Sequence, residues 1–447
     1  MKITKFETNL KEMKFLKEFK TVTINKDLKD LENNLIIIYP DRKYQQFIGF
    51  GGAVTESAGF CFSKLSPALK QSFINDYFST NGINYSLCRL PIGSCDFSLS
   101  SYSYSKKQDL SDFSIEQDMK YIIPLIKNIL KINPNIKFVA TPWSPPAFMK
   151  DNNKLKNGGK LLDEYKTLWA DYIVKYIKEY KKQGINIDFI TIQNEPNAKQ
   201  IWESCTYTPE DERNMIKNYL VPAFHKNNIS TKLLIWDHNK ERLVYRANKI
   251  FEDSDVMNSV AGIGYHYYSG DHFENIRIFN ELYPNKLIIH TEGCTGHEFL
   301  WFRKLRRQIP NAEIYAHDII GDLNSGSNGY IDWNILLNYS GGPSHVINPC
   351  NAPIMLNKKS NNYKKTLPYY YIGHFSKFIK SGAKRIAYSK YTNDIEMTAF
   401  INPDNSIIVI ILNKLKSQKH FNLCVNKKIY SDNINGHSIQ TLKIVFD

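Results

Sequence analysis

Short apolar runs alternate with longer amphipathic stretches between about residue 46 and residue 384. Eight of these runs have the length and the β-branched or aromatic composition of buried strands. The predicted strands are Phe47–Gly51, Tyr85–Leu90, Phe138–Thr141, Phe189–Gln193, Leu233–Trp236, Gly262–His266, Leu287–Thr291 and Gly329–Trp333. Strands that alternate with helices are typical of a parallel α/β fold, and eight such units predict a (β/α)8 TIM barrel.

Helix-length segments separate several of these strands. The clearest are Pro67–Tyr77, Ile115–Leu130, Leu162–Lys181 and Pro209–Phe224. Two of them begin with a hydroxyl residue directly before a proline, at Ser66 and at Thr208. A capping hydroxyl followed by proline in the first turn is a typical helix start.

Both ends of the chain follow a different pattern. After about residue 384, short strands are separated by polar turns, which predicts an antiparallel β module. Its strands are Met397–Ile401, Ile407–Leu412, Phe421–Val425 and Leu442–Phe446. Leu35–Tyr39 reads as one more strand, whereas residues 1–34 are Lys-rich and weakly patterned. We therefore expect a β-sandwich domain built from both termini (residues 1–45 and 385–447) and a barrel domain (residues 46–384).

Two of the predicted barrel strands end in a glutamate. Asn194 and Glu195 follow the fourth strand, and Pro196 favours an extended backbone at Glu195. Glu292 ends the seventh strand, directly before Gly293. A single glutamate at a strand end is most often a loop cap. Because the C-terminal ends of barrel strands surround the active site, we expect both carboxylates at one mouth, where two acids can cleave a glycosidic bond.

Polar or aromatic residues end most of the other strands as well. They are Arg89, Trp143, His266, Tyr268 and Trp333. One such residue means little, since Arg89 could form a structural ion pair and Trp333 could belong to the core. Their recurrence around one mouth is typical of a carbohydrate-binding site.

Composition narrows the class of protein. The 447 residues are 42% hydrophobic and 23% charged, as in an ordinary globular protein, and suffice for a large barrel with a smaller module. The net charge is +14, but the basic residues are scattered and form no binding arm, so we expect no nucleic-acid partner. Aromatic residues make up 13%, which suits stacking on sugar rings although core packing is their commoner use.

Cysteine usage and apolar run lengths indicate the compartment. The seven cysteines are odd in number and contain no CxxC pair, which argues against a disulfide framework and a zinc site and favours a reducing compartment. The first residues show no apolar signal segment, and the longest apolar run, Ile407–Leu412, is too short for a transmembrane segment. We therefore expect a cytoplasmic enzyme. Nothing in the pattern indicates an oligomeric state.

The sequence lacks the familiar motifs of dinucleotide-binding proteins, zinc proteases and serine hydrolases. Gly49 and Gly51 are followed by Val54 where a dinucleotide-binding fingerprint requires its third glycine. The chain has neither HExxH nor GxSxG, and His290 and His297 flank Glu292 at the wrong spacing for a zinc protease. We expect no metal and no organic cofactor.

A series of motifs along the chain resembles glycoside hydrolase family 30, and within it the acid β-glucosidase (glucosylceramidase) branch. The motifs follow one another in family order from about residue 46 onward. They are Gly49–Glu56, Arg89–Pro91, Ser94–Ser98, Thr141–Pro146, Gln193–Pro196, His266–Tyr268, Thr291–Cys294, Asp332–Asn334 and Gly373–Phe378. The resemblance implies a barrel fused to a β-sandwich and retaining hydrolysis of β-glycosides.

The resemblance also implies roles for single residues. Glu195 would be the acid/base and Glu292 the nucleophile, with Asn194 on the sugar 2-hydroxyl and Arg89 and Tyr268 holding Glu292. Asp96, Trp143, Trp333 and Asn348 would line the pocket for the terminal sugar, and Trp202 would shape the leaving-group side. His266, at the end of the sixth strand, is also expected to bind substrate. We further expect Glu195 to titrate high, because the neighbouring Glu292 carboxylate disfavours a second negative charge.

The function expected is that of a retaining exo-β-glucosidase of the glucosylceramidase type, acting on a small β-glucoside or on a glycolipid of sphingolipid metabolism. Three alternatives keep the same scaffold: a β-xylosidase, a β-fucosidase and a β-1,6-glucanase. A catalytically silent sugar-binding protein is the alternative that is not an enzyme. Glu195 and Glu292 together count against it, because a lectin needs neither carboxylate.

Overall fold

The computed structural model describes residues 1–28, 33–295, 308–358 and 362–446. In these ranges the chain forms a closed parallel barrel and a largely antiparallel β-sandwich. The predicted fold class is therefore confirmed. No helix among the described residues combines the length and the apolar character that crossing a membrane requires.

Four strands precede the barrel within the described N-terminal residues. They are β1 (Lys2–Asn9), β2 (Lys14–Glu18), β3 (Val22–Thr23) and β4 (Leu35–Gln46). The hydrophobic pattern predicts only β4. The side chains of β2 and β3 are largely half-buried or exposed, so these strands lack the apolar alternation that would reveal them.

The eight barrel strands are all parallel to their neighbours, and the last closes on the first. They are β5 (Gly49–Ala53), β6 (Leu87–Ile92), β7 (Lys137–Pro142), β8 (Phe189–Thr191), β9 (Lys232–Asn239), β10 (Val260–His266), β11 (Leu287–Glu292) and β12 (Gly329–Asp332). Every predicted barrel strand is thus confirmed, with its ends moved by at most a few residues.

Helices cover the outside of the barrel and connect its strands. The described ones are α1 (Glu56–Ser63), α2 (Pro67–Phe78), α3 (Glu116–Lys120), α4 (Ile122–Ile132), α5 (Lys166–Lys182), α6 (Pro209–Met215), α7 (Val221–Lys226), α8 (Leu243–Phe251), α9 (Ser254–Ser259), α10 (Phe273–Leu282), α11 (Gln308–Ser325) and α12 (Leu367–Ser376). Short 3-10 turns lie at Ala147–Met149, Asp163–Tyr165 and Lys240–Arg242, and a π-helical turn at Ile216–Leu220 joins α6 to α7. Both predicted caps are present, because Ser66 accepts a hydrogen bond from Leu69 N–H and Thr208 one from Asp211 N–H.

The remaining strands form a small sheet and most of the sandwich. The small sheet contains β13 (Leu336–Leu337), β14 (Ile354–Leu356) and β15 (Tyr363–Lys365). The sandwich strands are β16 (Lys384–Lys390), β17 (Glu396–Ile401), β18 (Ile407–Asn413), β19 (Lys419–Val425), β20 (Lys428–Ile434) and β21 (Ser438–Val445). β1 pairs with β21, and β4 lies between β16 and β19, so both termini build this domain.

An apolar layer fills the inside of the barrel. It is formed by one residue from each of six strands: Leu87, Val139, Phe189, Leu234, Ile289 and Ile331. All are at most 4% exposed, so this end of the barrel is solid. A barrel of eight strands has room for side-chain layers but not for a channel, and the functional groups must therefore lie above this layer, toward the C-terminal strand ends.

Candidate active site

A polar layer lies directly above the apolar one. Side chains in a strand alternate between its two faces, so the residue two positions after an inward apolar residue also points inward. Leu87, Val139, Phe189 and Ile289 are followed at that spacing by buried polar residues. These residues are Arg89, Thr141, Thr191 and Thr291.

The fifth member of this layer, Asp237, reaches it through a β-bulge. Trp236 is opposite Gly264 and His238 is opposite Tyr265, so Asp237 is an extra residue in β9. Trp236 and Asp237 have φ of 72° and 59°, in the left-handed region that non-glycine residues seldom occupy. The bulge re-aims the strand and places the Asp237 carboxylate inside the barrel, fully buried.

Five side chains lie within hydrogen-bond distance of the Asp237 carboxylate, and four of them belong to the polar layer. Its Oδ2 accepts from Arg89 Nη2 (2.8 Å), Thr191 Oγ1 (2.8 Å) and Thr141 Oγ1 (3.2 Å), and its Oδ1 from Thr291 Oγ1 (2.5 Å). Burial alone would raise the pKa of this carboxyl. The charge of Arg89 and the hydrogen bonds outweigh burial and hold the pKa well below its ordinary value, so Asp237 is ionised.

Arg89 carries the same network up to the predicted nucleophile. Its Nη1 donates to Glu292 Oε2, and its Nη2 also donates to Asn194 Oδ1 at 2.8 Å. The Tyr268 hydroxyl donates to the other carboxylate oxygen of Glu292 at 3.0 Å. Both oxygens of Glu292 therefore have a donor, and the amide of Asn194 is oriented with its oxygen toward Arg89.

Glu195 sits in an unusual backbone conformation. Its φ is +44°, so the extended conformation predicted from Pro196 is wrong. The Glu195 N–H donates to the carbonyl of Asp237 at 3.0 Å, which pins the strand end in the left-handed region. Such a conformation costs of order 1–3 kcal/mol and persists only where the surroundings impose it.

His266 connects Glu195 to the polar layer. Its Nδ1 lies 3.2 Å from Glu195 Oε1 and its Nε2 lies 3.1 Å from Asp237 Oδ1. The ring is fully buried with both nitrogens engaged by carboxylates, so the prediction that His266 binds substrate is wrong. It lies behind Glu195 instead.

The same contact reverses the expected titration of Glu195. Burial would raise the pKa of Glu195, but the His266 hydrogen bond and the charges of His238 and His266 outweigh burial and lower that pKa to about 2. Burial would likewise lower the pKa of His266, and the charge of Glu292 with the bonds to Asp237 and Glu195 raises it to about 9. The prediction of a high-titrating Glu195 considered Glu292 alone and is wrong, because the imidazolium is closer.

The two glutamates face each other across one cavity of about 240 Å³. Oxygen atoms of Glu195 and Glu292 and a ring nitrogen of His266 all lie within 4.8 Å of one another. Nine of the eleven predicted site residues line the cavity; Arg89 and His266 lie beneath it. The nine are Asp96, Trp143, Asn194, Glu195, Trp202, Tyr268, Glu292, Trp333 and Asn348.

The far end of the cavity combines one carboxyl with two stacked indoles. Asn348 Nδ2 donates to Asp96 Oδ2 at 2.7 Å. Burial and the charge of Glu292 raise the pKa of Asp96 well above its ordinary value. Trp143 and Trp333 stack with ring centroids 5.4 Å apart, and the Arg89 guanidinium lies 4.7 Å from the Trp143 centroid. This arrangement gives a rigid pocket with one polar contact point.

Sequence reasoning missed several residues of the site. Asp237 was not predicted, although the polar run from Asp237 to Asn239 at the end of the fifth strand was a visible signal. The run also supplies His238 and Asn239 to the cavity lining. Gln200, whose Nε2 lies 3.5 Å from Glu195 Oε2, sits in a loop where the pattern offered no signal.

Within the part of the chain that the structure describes, two groups of side chains have the donor types of a metal site. In the first, Glu195, His266 and Glu292, the donor atoms are already engaged by Arg89, Tyr268 and Asp237. In the second, His290, Asp318 and Asp322, the ammonium of Lys240 lies 2.5 and 2.6 Å from the two aspartates. A cation of the protein thus already fills the second group, and neither arrangement fits a metal ion.

Comparison with known proteins gives the same two-part division. The family model described as the glycosyl hydrolase family 30 TIM-barrel domain matches residues 47–379. The model described as the glycosyl hydrolase family 30 beta sandwich domain matches residues 382–442.

Similar proteins cover nearly the whole chain. The lysosomal acid glucosylceramidase of Mus musculus is 34% identical over 398 residues, which are 85% of this chain and 77% of that protein. An endo-1,6-beta-D-glucanase of Neurospora crassa is 27% identical over 85% of this chain and 81% of its own length. The crystal structure of SrfJ from Salmonella typhimurium superposes with a TM-score of 0.96 at 35% identity, covering both chains completely.

Replacing Asp237 by asparagine tests whether the polar layer depends on its charge. Asp237→Asn should lower the free energy of unfolding by about 3–5 kcal/mol, because Arg89 then keeps a buried charge with one anionic partner fewer. Asp404→Asn is the matched control, since its ion pair with Lys380 is half exposed and should contribute at most about 1 kcal/mol. Urea denaturation of both variants is the measurement, and equal losses would contradict the buried-charge argument.

Proposed function

Because the chain belongs to glycoside hydrolase family 30 and is a glycoside hydrolase, we propose that it is a retaining exo-β-glucosidase of the glucosylceramidase type. The observation that carries the proposal is the approach of the Glu195 and Glu292 oxygens to within 4.8 Å. Retaining enzymes hold their two carboxyl groups about 5–5.5 Å apart, whereas inverting enzymes leave about 6.5–9.5 Å for a water molecule. The short separation supports direct attack by one of the carboxylates.

In the first step Glu292 is the nucleophile. Arg89 and Tyr268 each donate to one of its oxygens, which holds the carboxylate in place at the cavity. Attack on the anomeric carbon forms an ester to Glu292 while the bond to the leaving oxygen breaks. Glu195 gives its proton to that oxygen, so the aglycone leaves as a neutral alcohol.

The proton for this step is held by Glu195 and His266 together. The Nε2–H of His266 donates to Asp237, which leaves Nδ1 facing Glu195. In the empty site the proton is on Nδ1, and it moves along the 3.2 Å contact to Glu195 Oε1 before the leaving group takes it. His266 does not touch the substrate; it holds the proton and passes it to Glu195.

In the second step the roles are reversed. Esterification removes the charge of Glu292, and Glu195 is now a carboxylate. It takes a proton from a water molecule whose oxygen attacks the anomeric carbon, and the ester bond to Glu292 breaks. Two displacements at the same carbon return the original β configuration.

The glucosylceramidase relatives at 34% identity support a β-glucoside as substrate, and a glycolipid aglycone belongs to the same proposal. The second candidate is a β-1,6-glucanase. It is favoured by the polar side chains of Gln200, His238 and Asn239 on the leaving-group side of the cavity, which suit a hydroxylated leaving group, and by the Neurospora crassa relative. Localisation in a reducing compartment also remains part of the proposal, and the absence of a disulfide among the seven described cysteines supports it.

Substrate choice decides between these candidates. Wild type should cleave 4-nitrophenyl β-glucoside faster than the β-xyloside or β-fucoside and should release only glucose from a linear β-1,6-glucan. Asp96→Ala should lose about 2–4 kcal/mol of transition-state stabilisation in kcat/KM, because the buried sugar hydroxyls lose a fixed partner. Release of oligosaccharides from the polymer interior would favour the glucanase instead. An Asp96→Ala variant as active as wild type would contradict the pocket assignment.

Azide rescue tests the nucleophile. Glu292→Ala should lose nearly all turnover, and added azide should restore part of it by attacking the face that the carboxylate leaves open. The product should be the α-glycosyl azide, identified by NMR. Glu195→Ala is the matched control: with an activated leaving group it should yield the β-glycosyl azide, because azide then opens the ester on Glu292. A β-azide from Glu292→Ala would reverse the two roles.

The pH profile of kcat/KM tests the shared proton. Activity requires one proton on the Glu195–His266 pair, so in wild type it should fall as the pH rises through about 9, the pKa of His266. In His266→Gln the proton must reside on the Glu195 carboxyl alone, and the alkaline limb should move to lower pH. His374→Gln is the control, since its ring nitrogens contact the hydroxyls of Thr441 and Thr8, away from the cavity. An unmoved limb in His266→Gln would rule the pair out.

A further inference from the structure

Two thiols meet in the wall of the active-site cavity. The sulfur atoms of Cys294 and Cys350 lie 3.1 Å apart, and the two residues are 1% and 2% exposed. Cys294 follows β11 and Cys350 lies in the segment after β13, so the contact joins two separate loops of the barrel mouth. Beside it, Asn351 N–H donates to the carbonyl of Thr295 at 3.0 Å, which keeps the two backbones adjacent.

The pair is connected to the predicted nucleophile. Cys294 is two residues beyond Glu292, and its sulfur lies 3.7 Å from the Tyr268 hydroxyl. That hydroxyl is the one that donates to Glu292 Oε1 at 3.0 Å. A displacement of the Cys294 sulfur therefore acts on the group that orients Glu292.

We propose that Cys294 and Cys350 form a modification site for a small hydroperoxide, which converts them to a disulfide and thereby switches off hydrolysis. Both cysteines line the cavity, so a molecule of the size of hydrogen peroxide can reach them where the substrate enters. Bond formation must shorten the sulfur–sulfur distance from 3.1 Å to about 2.05 Å. Because Cys294 is two residues beyond Glu292, this movement also shifts the Glu292 carboxylate relative to its donors Tyr268 and Arg89.

The chemistry balances with the peroxide as the oxidant. The thiolate of one cysteine attacks a peroxide oxygen, the O–O bond breaks, and hydroxide leaves while a sulfenic acid forms. The second thiol then attacks the sulfenic sulfur, a disulfide forms, and water leaves. In sum two thiols and one hydrogen peroxide give one disulfide and two water molecules.

The reaction should be slow at neutral pH and faster in alkali. The hydrogen bond with Cys294 and burial raise the pKa of Cys350 well above its ordinary value, so little thiolate is present. The site therefore responds to sustained exposure to peroxide. A rate of oxidation that rises with pH is one of its expected properties.

The test treats the full chain with hydrogen peroxide and follows mass and activity together. We expect the intact mass to fall by two hydrogens, a digest to contain a peptide pair linked through Cys294 and Cys350, and turnover of a 4-nitrophenyl β-glucoside to fall about tenfold or more. Dithiothreitol should restore both. Dithiothreitol does not reduce methionine sulfoxide. Recovery of activity therefore distinguishes the Cys294–Cys350 disulfide from methionine oxidation.

Variants assign the effect to the pair. Cys350→Ser, or Cys350→Ala if the serine variant is unstable, should keep its activity through the same treatment. Cys424→Ser, in β19 of the sandwich, is the matched control and should be inactivated as wild type is. If no linked peptide forms, or if Cys350→Ser is inactivated as fast as wild type, the proposal is overturned.

The loss of hydrolysis rests on the proposed role of Glu292, whereas formation of the disulfide does not. A linked peptide with unchanged turnover would overturn the switch. The linked peptide is detected without substrate, so it tests the disulfide alone. The azide products test the proposed function separately, so the two failures can be told apart.

Discussion

The ion pair of Arg89 and Asp237, 2.8 Å apart inside the barrel, positions the catalytic groups of the site. Burying two charges costs several kcal/mol per ion, and only multiple well-placed hydrogen bonds offset that cost. The three threonine hydroxyls around Asp237 supply them. With that anion fixed, Arg89 is left with donors for Glu292 and Asn194, and His266 is held against Glu195. The catalytic carboxylates thus lie at the cavity end of a charge network, and the Arg89–Asp237 pair at its centre is fully buried.

The alternation of side chains along each barrel strand explains how this network forms. An apolar residue, then a polar one two positions later, then the strand end gives three layers: solid packing, the buried polar network and the open cavity. The bulge in β9 is the exception that adds Asp237. Without the extra residue the inward position would be held by Trp236, and Arg89 would face an indole in place of a carboxylate.

The sequence sufficed to predict what depends on local pattern. Eight barrel strands, both termini in one β domain, and both glutamates at one mouth follow from apolar run lengths and from what each strand ends in. Asp237 was missed because the alternation of apolar and polar residues along a strand does not reveal a β-bulge. His266 was misassigned because a strand end shows which residue is present but not which neighbours take its two nitrogens. The titration of Glu195 was reversed for the same reason. The strands β2 and β3 were missed because strands with half-buried or exposed side chains carry little apolar pattern.

The pairing of β1 with β21 has a consequence for biosynthesis. The two strands pair from Lys2 opposite Val445 to Asn9 opposite Ser438, so β1 is translated long before its partner strand β21. β1 can form a hairpin with β2 at once, but its other edge stays open while the whole barrel is translated. Closing such a long loop is slow, and an open edge invites pairing with other chains. Assembly of this protein therefore has an order: the barrel is translated as one continuous stretch, and the sandwich closes only after β21 has been translated.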